Sequence, residues 1–107
     1  MTDFDELRRQ LRIAYGLVIE RARKDRWPVM SAFAAACGMK TNSYRRIELG
    51  ERAITAPELE VIAHVLGISP TTIRAEAIAM VEGGEIPSHA GQAAESWRRA
   101  LNPKRSS

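Results

Sequence analysis

Apolar residues in this chain recur three and four positions apart, in blocks closed by glycine or proline, and that rhythm restricts it to an all-α fold. Period-two alternation of β-branched residues is missing throughout. From about Asp3 to Arg26, Phe4, Leu7, Leu11, Ala14, Val18, Ile19 and Ala22 form one stripe of a long first helix. Pro28 ends it, because the residue before a proline is pushed out of helical geometry. Gly16 costs the middle roughly 1 kcal/mol of helix propensity and is the point where a break is expected, if there is one. A short second helix covers Met30 to Cys37 and a third Thr41 to Leu49, stopped by Gly38 and Gly50. The run "TAPE" opens a fourth helix with Thr55 as cap and Glu58 three residues later, a capping box. Leu59, Ile62, Ala63 and Leu66 face inward before Gly67. Ser69-Pro70 opens a fifth helix, which carries Ile73, Ala77, Met80 and Val81 and stops at Gly83-Gly84. Residues 83–89, "GGEIPSH", read as a linker, and Ala93, Trp97 and Leu101 share one side of a weak last helix at 92–101.

The 107 residues, 45% of them apolar, suit one small domain. No apolar run approaches the ~20 residues that span a bilayer. The N-terminus "MTDFDELRRQ" is polar and acidic, unlike a signal peptide, so the expected compartment is the cytoplasm. Cys37 is the single cysteine and sits at an apolar position, which excludes an internal disulfide and favours a buried thiol. His64 and His89 have no acidic or thiol partner at ligand spacing, so no metal or other cofactor is expected. No serine stands in a nucleophile motif, and Gly83-Gly84 lacks the lysine of a phosphate loop, so no enzyme is expected either. Net charge is +3, with 16 basic and 13 acidic residues. The excess lies in residues 1–55, with a second basic cluster at Arg98, Arg99, Lys104 and Arg105.

Gly38 to Arg52, "GMKTNSYRRIELGER", concentrates that charge. At ~100° per residue, Thr41, Asn42, Arg45, Arg46 and Leu49 fall in one arc of the third helix, and Ser43, Tyr44, Ile47 and Glu48 in the other. The second arc anchors the helix, with Tyr44 as a core plug rather than a stacking aromatic. The first arc is polar and cationic. Asparagine can bond adenine, arginine guanine, and threonine offers a hydroxyl or a methyl. Lys40 and Arg46, at its margins, suit phosphate, as does Arg52 beyond the helix. An Ala-rich short helix, a tight Gly turn and this helix make a helix-turn-helix arrangement.

From about Ile19 to Ile73 the chain resembles the Cro/phage-repressor (XRE-type) helix-turn-helix regulators. "IERARK" is similar to the family's first helix, "FAAACG" to its second, "YRRIELGER" to its recognition helix and exit, and "LEVIAHVLGIS" to its fourth. The resemblance implies a five-helix, lambda-repressor-like domain at 17–82, preceded by a helical extension at 1–16. A linker and C-terminal segment follow at 83–107. It implies a structural pair between Arg23 and Glu48. It also implies DNA contacts from Lys40, Thr41, Asn42, Ser43, Arg45, Arg46, Arg52 and Ser31. The family has Ser or Thr, then Gln, where this chain has Val29 and Met30; neither can cap, so Ser31 is expected to cap the second helix. Lys40 stands at the family's next capping position, so Thr41 is expected to cap the third.

The function implied is a sequence-specific transcriptional regulator, most simply a homodimeric autorepressor of a small operon or mobile element, on an inverted-repeat operator in double-stranded DNA. Ile73, Met80 and Val81, with Trp97 and Leu101, are the expected dimer seam. The rival is an antitoxin-type interaction protein whose C-terminal segment binds a protein partner.

Overall fold

The computed structural model describes residues 3–87; the expectations for Trp97, Leu101, His89 and a helix at 92–101 fall outside the described residues. The described chain is all helix: α1 (Phe4–Arg26), α2 (Met30–Ala36), α3 (Thr41–Glu48), α4 (Ala56–Leu66) and α5 (Pro70–Glu82). Three caps follow from sequence. Asp3 accepts from the Glu6 amide at 3.1 Å, Thr55 and Glu58 form the reciprocal capping box, and Ser69 accepts from the Thr71 amide. Each satisfies an amide that the helix leaves unpaired, at about 1 kcal/mol apiece.

The other two caps differ from expectation. The N-cap of α2 is Val29 and that of α3 is Lys40, neither with a side-chain cap bond. Ser31 is instead the second residue of α2 and Thr41 the first of α3. Packing sets this register. Phe33 is fully buried between Trp27 and Tyr44, with ring centroids 5.7 and 5.2 Å away, and its amide reaches the Val29 carbonyl at 3.2 Å. Tyr44 is equally buried, and its amide reaches the Lys40 carbonyl at 3.0 Å. Burying two aromatic rings outweighs roughly 1 kcal/mol for each missing cap.

Gly16 does not break α1; it is where α1 crosses the end of α3. A Cβ there would stand 2.4 Å from the Glu48 carbonyl oxygen and 2.5 Å from that of Ile47. One turn earlier on α1, Ile13 packs against Gly50, whose φ of 74° only glycine adopts readily and where a Cβ would lie 2.8 Å from Ile13 Cγ1. α1 is therefore one continuous helix.

The core gathers Ala14, Val18 and Ile19 of α1 with Phe33, Ala34, Tyr44, Ile47, Ile62, Ala63, Leu66, Ile73, Ala77 and Met80. The start of the expected linker belongs to it too. Ile86 is buried, and Arg9 donates to the Pro87 carbonyl, so residues 83–87 fold back on α1. Ile73 and Met80, expected in a dimer seam, are buried inside their own chain, because α5 turns its apolar face to α1. Val81 is half-buried against the same core.

Candidate nucleic-acid interface

α3 is two-faced. Tyr44, Ile47 and Glu48 are buried, whereas Asn42, Arg45, Arg46 and Leu49 are exposed and Thr41 and Ser43 half-buried. The inner face is held by a buried polar network. Arg23 Nε donates to Glu48 Oε2 at 2.6 Å and Nη2 to Oε1 at 3.3 Å. The Tyr44 hydroxyl donates to the same carboxylate, and Arg23 Nη1 donates to the Trp27 carbonyl at 2.8 Å. Arg23 and Glu48 are 3% and 5% exposed, so this pair is fully desolvated. The bond to Glu48 raises the Arg23 pKa further; burial, then the hydrogen bond to Glu48, raises that of Tyr44. The network ties α3 to the end of α1 and fixes which arc looks outward. The sequence marked Tyr44 only as a core plug; the bond from its hydroxyl to Glu48 emerges with the fold.

On the outer face, Lys40 and Arg45 are exposed and make no ion pair among the described residues; Arg46 has only a distant contact, 3.9 Å, to exposed Glu51. Ser31 is exposed on α2. Arg52 is different. Its guanidinium forks onto Glu58 at 3.0 and 2.7 Å and donates to the Ala53 carbonyl, bracing the start of α4. Arg26 also serves the fold, donating to the Leu66 carbonyl at the end of α4. Cys37 is buried, its thiol pushed up to about 11, which leaves it unreactive.

The Arg52 fork, helped by Thr55, holds the Glu58 carboxyl down to about 2. A depressed folded-state pKa contributes stability above the unfolded value of about 4.3, and that stability is lost as pH falls towards the folded value. Because the pair is partly exposed, about 1 kcal/mol is expected. Denaturant titrations at about pH 6 and about pH 2.5 should show wild type losing that much more than Glu58→Gln. Equal losses would remove the pair from the acid response.

The Helix-turn-helix family model matches residues 30–73, the span from α2 into α5. No curated protein matches the chain. Among solved structures it is similar to the clp gene regulator ClgR from C. glutamicum, at 25% identity and a TM-score of 0.60, covering 64% of this chain and 90% of that one. A second crystal structure of ClgR, from Corynebacterium glutamicum, shares the fold at 22% identity and a TM-score of 0.64 over 91% of this chain and 96% of that one. Residues 30–73 thus match a helix-turn-helix, and the all-α fold around them is similar to that of the regulator ClgR.

Proposed function

We propose that this protein is a cytoplasmic, sequence-specific DNA-binding repressor that acts as a homodimer on an inverted-repeat operator, with α3 laid in the major groove. The observation that carries this reading is the division of α3. Its inner face is locked by the Arg23–Glu48–Tyr44 network, and its outer face presents Asn42 and Arg45, which have no ion pair or side-chain hydrogen bond among the described residues. Asn42, Arg45, Thr41 and Ser43 are assigned to base edges or the adjoining backbone, and Lys40, Arg46 and Ser31 to phosphates. Arg52 is assigned chiefly to bracing α4 rather than to DNA. Arg45→Ala should weaken binding to an operator selected from random duplexes by about 1–3 kcal/mol and relax preference at one base pair per half-site. Anisotropy titrations showing equal loss on selected and scrambled duplexes would make Arg45 a phosphate contact. Lys40→Ala should weaken all sequences alike and flatten the log–log salt dependence by about one unit; an unchanged slope would remove it from the interface.

Two half-sites about 34 Å apart compensate for the few base contacts that one helix offers. With Ile73 and Met80 inside the core, the seam is assigned to Trp97 and Leu101 together with Phe4 and Leu7. Those two α1 residues are 62% and 37% exposed. Light scattering of Trp97→Ala should show a shift towards monomer, and a monomeric wild type at micromolar concentration would overturn the two-fold operator. Residues 83–87 fold back on their own α1, which withdraws the first part of the segment that an antitoxin reading would wrap around a partner.

A further inference from the structure

On a face built from the first half of α1, residues 53–56 and the near sides of α4 and α5, the chain leaves a cleft of about 420 Å³, a size suited to a small molecule. Its lining includes apolar Leu11, Tyr15 and Leu59 and cationic Arg8, Arg12 and Arg74. Arg8 has an exposed partner in Asp5 at 2.8 Å. Arg12 and Arg74 make no ion pair among the described residues, although both line the cleft, from different helices. Bringing unpaired guanidiniums together costs electrostatic energy that a bound anion would relieve, and each offers a planar fork matched to a carboxylate or phosphate. Arg8, Arg12 and Arg74 belong neither to the α3 surface nor to the buried core, against which Tyr15 and Leu59 pack.

We propose that this cleft is a binding site for a small amphipathic anion, a carboxylate or phosphate head on an apolar body. The head sits between Arg12 and Arg74, and the body lies on Leu11, Tyr15 and Leu59. Such a ligand would join α1 and α5 to residues 53–56, where the connection from α3 enters α4, so its binding would bear on how α3 is held. That consequence rests on the DNA-binding reading; the site itself does not.

The test is calorimetry of the full chain with decanoate, below its micelle-forming range, and with decylamine as a control of equal tail and opposite charge. One decanoate per chain is expected, with no saturable binding of decylamine. The double variant Arg12→Gln/Arg74→Gln should bind decanoate at least about tenfold more weakly, with affinity partly recovered in Arg12→Lys/Arg74→Lys. Thermal melts identical to wild type would confirm that both variants fold. Equal binding of the two amphiphiles, or wild-type affinity in the Gln variant, would reduce the cleft to a greasy surface and overturn the proposal. Absence of decanoate binding, together with weaker binding of the Gln variant to every duplex, would make the rim a DNA-backbone contact and overturn it equally. Because the calorimetry contains no DNA, it holds or fails apart from the function proposed for α3.

Discussion

Glu48→Ala is expected to lower the free energy of unfolding by about 3–5 kcal/mol, a large share of the ~5–15 kcal/mol that a domain of this kind possesses. The cause is the partner left behind. Arg23 is 3% exposed and would keep its charge, since a guanidinium does not deprotonate; only the Trp27 and Pro28 carbonyls would remain to it. The Tyr44 hydroxyl would lose its acceptor as well. Replacing both ions together, Arg23→Met with Glu48→Leu, should cost clearly less than the single change, because no buried charge is stranded. Urea titrations of wild type, Arg23→Met, Glu48→Leu and the double variant form the double-mutant cycle. A single-variant loss under about 1 kcal/mol would mean that water reaches the pair and that it is not what anchors α3. In the double variant α3 would still pack through Ile47 and Phe33–Tyr44, so it should retain more DNA affinity than Glu48→Ala.

Gly16→Ala is the second large effect, and its sign is diagnostic. In an exposed helix interior this change stabilises by about 1 kcal/mol, because alanine has the higher helix propensity. Here the new methyl would meet the Glu48 and Ile47 carbonyl oxygens at 2.4 and 2.5 Å, backbone atoms that no rotamer can move aside. α1 and the end of α3 would have to separate, and a net loss of about 3 kcal/mol is expected. The shift also displaces Glu48 from Arg23, so the effect should be less than additive with Glu48→Ala. A variant as stable as wild type, or more so, would show that α1 does not cross α3 this closely. The measurement is the denaturant midpoint at unchanged m-value.

The sequence by itself determined the helices and which side of each is buried. Periodicity placed Ala14, Val18, Ile19, Phe33, Ile47, Ile62 and Leu66 in the core, and the "TAPE" box and Ser69-Pro70 marked the starts of α4 and α5. These features are local. Caps, propensity and amphipathic spacing act within a turn or two, so a reader of the chain has all the interacting groups in view. The division of α3 into a buried arc and a polar arc is of the same kind, and the Arg23–Glu48 pair was reached only through family resemblance, being 25 residues apart. What the tertiary structure decided depends on groups far apart in the chain. Gly16 looks like a weak point until Glu48 lies across it. Ser31 and Thr41 look like caps until Phe33 and Tyr44 take the register. Ile86 looks like linker, and Ile73 and Met80 like a seam, until residues 83–87 and α5 close on α1. In each case long-range packing, worth several kcal/mol, overrode a local preference worth about one.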